Sequence, residues 1–351
     1  MKKLFYLSMI FLFANNIFAQ KNANSSQKLI SVIGVGDIML GTNYPSDTNL
    51  PPNDGKDVLN DVKDILRDAD VTFGNLEGVL LDFGGSPKNC SNPNICYNFR
   101  MPERYVNYLV DAGFDVVSLA NNHNGDFGLQ GRENTQKALQ NVGIHFAGLE
   151  NVCETNTFTI NGIKYGFCAF APNTGTVRIT DIPKAKSLVS ELKKSCNIVI
   201  VSFHGGAEGK SYNRVPKKTE TFIGENRGNV YEFAHAVIDA GADIVFGHGP
   251  HVVRAVELYK DRFIAYSLGN FATAGGINVS GISGYAPIVK VFTDEKGVFV
   301  KGQIYSFIQQ YRTGPLKDDK NLVIKEIKRL TELDFPNTTI KISDDGMIEK
   351  R

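Results

Sequence analysis

From Leu29 onward, short β-branched apolar runs alternate with segments whose apolar residues recur every three to four positions. LISVIGVGD (29–37) predicts a strand buried on both faces that delivers Asp37 at its carboxyl end. KDVLNDVKDILRD (56–68) gathers Val58, Leu59, Val62, Ile65 and Leu66 on one helical face, and VTFGN follows as a second strand. The alternation continues with a helix in PERYVNYLVDAG, a strand in DVVSLA, a helix around GRENTQKALQNVG and a strand in IHFAG. Such a series implies a largely parallel sheet with helical crossovers.

Beyond Thr157 the texture changes. TFTINGIKYGFCAF holds two alternating runs about Asn161-Gly162, the signature of a type I′ hairpin. Helix and strand units resume in SLVSELKKS, NIVIVSFH, NVYEFAHAVIDAG and DIVFGH. Two hairpin-like pairs follow, VVRAVELY with RFIAYSLGNF, and PIVKVFT with VFVKGQIYSF, so parallel and antiparallel pairing are mixed. A turn-rich insert runs from Leu81 to Asn98. The charged tail at 317–351 is expected to add a helix over LVIKEIKRLTEL and then fray. The domain proper is read as 29–316, preceded by a polar linker at 20–28.

The first 19 residues, with Lys2 and Lys3, an apolar run from Leu4 to Ala14 and a close on Ala19-Gln20, have the layout of a secretory signal peptide. The expectation is export to a periplasmic or extracellular location after cleavage at Ala19, with an uncleaved membrane anchor as the alternative. In an oxidising compartment Cys90 and Cys96, within CSNPNIC, are spaced to close a small disulfide, while Cys153, Cys168 and Cys196 are expected as buried thiols. With no C-x-x-C pair, a Cys-only zinc site is not expected. The net charge of +1 gives no reason to expect a nucleic acid as partner.

Five apolar runs end in residues able to ligate metal: Asp37; Asn75 and Glu77; Asn122 and His123; His204; and His248 with His251. In open α/β sheets the ligand crevice lies beyond the carboxyl ends of the strands, so residues far apart in sequence can converge there. Each alone is an ordinary turn residue. Four of the six histidines at strand ends, however, favour a metal site. Imidazole nitrogens with carboxylate and amide oxygens suit Zn, Mn or Fe, and two ions about 3.5–4 Å apart can hold a hydroxide between them at neutral pH. His145 and His235 are read as packing or surface residues. The sequence lacks a G-x-G-x-x-G, so a dinucleotide site is not expected. The loop HGGAEGKSYNRVPKKTETFIGENRGNV carries Lys210, Arg214, Lys217, Lys218 and Arg227, either as a solvated loop or as an anion cradle.

VGDIMLG, GNLEGVL, NFRMP, DAGFDVVSLANNHNGDFG, HGGAEG, GADIVFGHGPHV and YSLGNF stand in the order seen in the CapA family of poly-γ-glutamate capsule biosynthesis proteins, which this chain resembles from about Ile30 to Phe271. That family looks like a branch of the calcineurin-like metallophosphoesterases, which implies a four-layer α/β/β/α sandwich with two mixed sheets. The resemblance implies metal ligation by Asp37, Glu77, Asn122, His204, His248 and His251, with one or two divalent ions of Mn, Zn or Fe. It gives His123 the part of general acid or transition-state donor beside Asp37; Arg227, from the basic loop, is expected at the substrate, with Glu208 and Asn270 there too or completing the metal shell. Met39 stands where the phosphoesterases have a histidine, and Glu77 where they have an aspartate, so the number of ions stays open. The implied function is an exported, metal-dependent hydrolase of capsule synthesis, acting on a phosphoester or an anionic polymer alongside membrane capsule-synthesis proteins. The alternatives are a non-catalytic assembly or export factor that binds polyglutamate, and a cell-envelope peptide amidase.

Overall fold

The computed structural model describes residues 29–89 and 96–351. The expected signal peptide, the linker up to residue 28, and Cys90 with its expected bridge to Cys96 lie outside them. None of the described helices is long and apolar enough to cross a membrane.

Two mixed sheets face each other. The first has nine strands, ordered Ile340–Ile342, Met347–Lys350, Phe299–Tyr305, Ile288–Thr293, Ile30–Met39, Val71–Leu76, Val116–Ser118 and His145–Ala147, with Asn270–Thr273 added beside the end of Ile30–Met39. The second has six: Val256–Tyr259, Arg262–Ala265, Ile244–His248, Ile198–His204, Ile163–Phe170 and Thr155–Ile160. Strand Ile30–Met39 shows why its sequence is almost continuously apolar. Ile30 and Val32 enter the core between the sheets, while Ile33 and Val35 enter the core on the opposite face. Across the inter-sheet core, Phe73 stacks on Phe246 with centroids 5.5 Å apart and meets Phe167 at the same separation.

The outer faces are covered by helices. Leu66, Leu109 and Leu139, from helices Lys63–Leu66, Val106–Ala112 and Gly128–Val142, seal the first sheet. Val189 and Val237, from Ile182–Lys193 and Val230–Asp239, belong to the core of the second. The result is the four-layer α/β/β/α sandwich with two mixed sheets expected above.

Asn161 and Gly162 both take positive φ, 52° and 81°, and join Thr155–Ile160 to Ile163–Phe170 as the anticipated hairpin. Pairing of Val256–Tyr259 with Arg262–Ala265, and of Ile288–Thr293 with Phe299–Tyr305, also follows the alternation. Two elements differ. The helix expected over 56–68 contracts to Lys63–Leu66, because Asn53 and Asn60 donate to the Asp57 carboxylate at 2.7 and 2.9 Å and hold the preceding residues in turns. The tail does not fray after its helix, Leu322–Asp334: Ile340–Ile342 pairs with Met347–Lys350, which pairs in turn with Phe299–Tyr305, and Ile340, Ile342 and Ile348 are buried. Cys168 and Cys196 are buried free thiols as expected, whereas Cys153 is only partly covered.

Candidate metal centre

The site forms where the Ile30–Met39 strand changes neighbours. Its antiparallel partner ends at the Val35–Ile288 pair, and beyond a register shift Asp37 stands opposite Asn75 on one side and Asn270 on the other. Gly36 permits this change. A Cβ there would lie 2.1 Å from the Gly269 carbonyl oxygen, which accepts the Asp37 backbone N–H at 2.9 Å. In the second sheet His204 and His248 are register partners at the ends of adjacent parallel strands. The turn that follows takes Gly249 to φ 112° and His251 to φ 53°, which brings His251 back over Asp37.

Asp37 is fully buried, with Oδ1 3.3 Å from His248 Nδ1 and Oδ2 3.0 Å from His251 Nδ1. His251 Nε2 lies 3.6 Å from Glu77 Oε1, and candidate ligand atoms of Asp37, Glu77 and His251 fall within 4.8 Å of one another. The His204 and His251 rings are 6.3 Å apart. Asn122 is on the wall of the adjoining cavity, and its backbone carbonyl accepts from Lys88 at 3.3 Å. Buried and without hydrogen-bond partners are Glu77 Oε1, Asn122 Oδ1, both ring nitrogens of His204 and the Nε2 of His248, whose Nδ1 faces Asp37. Such atoms lose their water on folding and regain nothing, at about 1–3 kcal/mol each. They are also the donor atoms that a divalent transition ion takes. The donor set therefore fits a metal.

The electrostatics agree. Burial alone would raise Asp37, but its hydrogen bonds with His248 and His251 outweigh burial and hold the carboxyl far below the usual range. Glu77 is pushed well above it by burial and then by the negative Asp37. Burial opposes a charged His251, yet Glu77 and Asp37 raise it to about 10. The two buried carboxyl groups thus draw positive charge to this point; the His251 imidazolium supplies it here, and a divalent ion would supply it in place of that proton. His204 is held far below its ordinary value by burial and by the nearby Arg227 guanidinium, so its imidazole stays neutral, the form able to ligate.

A second tier positions these groups, and the sequence reading missed most of it. Asn75 Nδ2 donates to Asp37 Oδ1 at 2.8 Å, and Asn121 in turn donates to Asn75 Oδ1 at 3.0 Å. Asn121 Oδ1 accepts the His123 backbone N–H at 3.0 Å. His123 Nδ1 lies 2.7 Å from Asp126 Oδ2 and 3.3 Å from Lys88 Nζ; the carboxylate favours a proton on Nδ1 and leaves Nε2 3.9 Å from Glu77 Oε1. Lys88, from the turn-rich insert, reaches Asp126 Oδ1 at 2.6 Å. The i, i+3 spacing of His123 and Asp126 in a Gly-rich turn was a signal in the sequence. Lys88 gave none.

Beside the cluster opens a cavity of about 600 Å³, lined among others by Lys88, Tyr97, Phe99, His123, Glu208 and Arg227. Arg227 and Glu208, both named from the sequence, meet there at 3.0 Å. Asn270 does not reach this cavity. It is fully buried, with Oδ1 3.0 Å from His251 Nδ1 and Nδ2 donating to the Ser283 carbonyl at 2.9 Å, so it orients the histidine. Of the five cationic residues in the long loop, only Arg227 lines this cavity. Arg214 pairs with Asp334 at 2.5 Å, and Lys217 lies over Phe335, 4.7 Å from the ring centroid. Met39 is fully buried and offers no ligand. His145 stacks on Phe158, and His235 pairs with Glu257 at 2.9 Å, both apart from the site.

The chain matches the model of the family described as bacterial capsule synthesis protein PGA_cap over residues 31–274. It is 28% identical over 318 residues to the capsule biosynthesis protein CapA of Bacillus anthracis, covering 85% of this chain and 72% of that one. To the PGA biosynthesis protein CapA of Bacillus subtilis (strain 168) it is 30% identical over 282 residues, 76% of this chain and 69% of the relative. Among solved structures, a hypothetical protein from Thermus thermophilus aligns with a TM-score of 0.49 at 17% identity, over 80% of this chain and all (100%) of the other. A putative 5'-nucleotidase from Staphylococcus aureus aligns with a TM-score of 0.46 at 16% identity, over 87% of this chain and 58% of that one.

Proposed function

The chain belongs to the family of bacterial capsule synthesis proteins, and on that premise we propose that it is an exported accessory protein of poly-γ-glutamate capsule synthesis that carries a metal-dependent hydrolytic site. The observation that carries the reading is the convergence, at the ends of strands from both sheets, of buried donor atoms without protein partners on Glu77, His204 and His248 beside Asp37 and His251. Asp37, Glu77, Asn122, His204, His248 and His251 would hold Mn, Zn or Fe. A divalent ion held there supplies Lewis-acid polarisation of a phosphoryl or carbonyl oxygen and activates water at neutral pH.

The protein's own groups do the rest. Asn75 and Asn270 fix the rotamers of Asp37 and His251, so the donors are set before substrate arrives. Asp126 holds His123 with Nε2 toward the cluster, where it exchanges a proton or hydrogen-bonds the developing charge. Phe99, 4.3 Å from the His123 ring centre to centre, covers one face of that imidazole and limits water there. Arg227 and Lys88 are cationic groups at the cavity wall, and Arg227 is placed to hold a carboxylate of the substrate.

The test is a screen of the purified protein with Mn, Zn and Fe against phosphomonoesters, phosphodiesters and γ-glutamyl amides. Turnover that vanishes in His248→Ala supports the reading. Metal binding without turnover of any of these substrates would favour the non-catalytic assembly role, for which the replacement of a ligand histidine by buried Met39 already speaks.

A further inference from the structure

The guanidinium of Arg227 is divided. Its side chain is only 3% exposed, and Nη1 alone is satisfied, by Glu208 Oε1 at 3.0 Å and Glu225 Oε2 at 3.2 Å. Nε and Nη2 are buried without partners. These two nitrogens form the flat edge that matches a carboxylate with two parallel hydrogen bonds. The residue lines the cavity, and so do Glu208 and Glu225, which flank it with two negative charges.

That flank discriminates. A phosphate dianion or a run of carboxylates entering the edge would meet Glu208 and Glu225 as like charges, whereas a ligand with a cationic group next to its carboxylate would meet them as partners. The placement is firm, because Glu220 exchanges backbone hydrogen bonds with Arg227 and Gly228, at 2.9 Å each, and its carboxylate is locked to the fully buried Arg254 at 2.7 and 2.9 Å. Glu225 belongs to the hairpin formed by Thr221–Phe222 and Glu225–Asn226, whose Phe222 and Ile223 supply an apolar wall to the same cavity.

We infer that the Arg227, Glu208 and Glu225 cluster is a receptor for an amino-acid head group, a carboxylate and an ammonium on one carbon. Resting on the polyglutamate reading above, this means the amino end of a γ-linked chain, since that linkage leaves α-carboxylate and α-ammonium together on the first residue alone. Arg227 Nε and Nη2 take the carboxylate, and Glu208 with Glu225 take the ammonium. The protein then engages the polymer by its end and not along its length, where each residue offers a carboxylate but no amine.

Isothermal titration of the metal-loaded protein with γ-glutamylglutamate and with its N-acetyl derivative tests this, with metal content measured on each sample. Wild type is expected to bind the free dipeptide at least about tenfold more tightly than the acetylated one, as expected for loss of one charge-assisted contact. Arg227→Lys should weaken the free dipeptide by about tenfold or more with bound metal unchanged. Glu208→Gln with Glu225→Gln should bring the two ligands within about twofold of each other. Equal binding of free and acetylated dipeptide by wild type, no measurable binding of either, or a preference that survives the double substitution would overturn the inference. A protein that binds the dipeptide selectively but holds no metal would instead overturn the hydrolytic reading and leave this one standing.

Discussion

Replacing Arg254 by methionine tests how the cavity wall is held. Arg254 is fully buried and donates to both Glu220 carboxylate oxygens, to the Tyr212 carbonyl at 2.8 Å and to the Ala207 carbonyl at 3.3 Å. Methionine keeps much of the volume but strands a carboxylate that is itself buried, and breaking one side of such a pair costs about 3–5 kcal/mol. For a protein of this size that corresponds to a fall in melting temperature of about 4–7 °C. Glu220→Gln alone strands the guanidinium and should cost about as much, whereas the double variant removes both charges and should lose at least about 1 kcal/mol less than the sum of the singles. Urea denaturation of wild type, both singles and the double reads all four corners of the cycle. A loss below about 1 kcal/mol in Arg254→Met, or strict additivity, would refute the claim that this pair anchors the loop bearing Glu208 and Arg227.

Asp115, half-buried at the start of Val116–Ser118, is pushed up to about 6 by burial, against the opposing hydrogen bond from the Thr72 backbone N–H. A carboxyl raised in the folded state favours folding below the unfolded value near 4 and loses that contribution as pH climbs through 6. Measured against Asp115→Asn by denaturation, wild type should lose about 1–2 kcal/mol between pH 4 and 7, and a pH-independent difference would contradict this. Gly36→Ala places a methyl against the Gly269 carbonyl; it should destabilise by about 1–3 kcal/mol or more and lower bound metal by displacing Asp37, whereas unchanged metal content would show that the crossing tolerates the extra atom. Asp126→Asn should slow hydrolysis by about 100-fold with bound metal unchanged, because His123 loses the acceptor that fixes its tautomer. An unaltered rate would remove His123 from the chemistry.

Much of the architecture was legible because burial on both faces leaves a one-dimensional trace. LISVIGVGD and NIVIVSFH are apolar almost throughout, and both become strands ending in site residues. Asn161-Gly162 announced its hairpin by local backbone chemistry alone. What failed was local competition and small elements. The Asp57 carboxylate, bonded to Asn53 and Asn60, shortened a helix whose apolar spacing was sound. Strands of three and four residues at the C-terminus, read as fraying, gain their stability from each other and from the pairing of Met347–Lys350 with Phe299–Tyr305, and not from their own sequence.

The site divides along the same line. Its candidate ligands were visible because strand ends in such sheets share one rim. Their supports were less so: Asn75 was seen at a strand end but as a ligand and not as the partner of Asp37, 38 positions away, and Lys88 meets Asn122, and Arg254 meets Glu220, each across 34 positions with no motif to join them. Asn270 was legible as a site residue, but its task, holding His251, appeared only when both its amide atoms were seen to be engaged inside the protein.

The most direct test of the account is the metal content of the purified protein after chelation and reloading with Mn, Zn or Fe, compared among wild type, Glu77→Gln and His248→Ala. Wild type should hold about one or more ions per chain tightly, and both variants should lose most of that metal, with the fold retained by circular dichroism. Wild type that reloads well under about one ion per chain, or variants that bind as much as wild type, would contradict the claim that these buried donors form a metal centre.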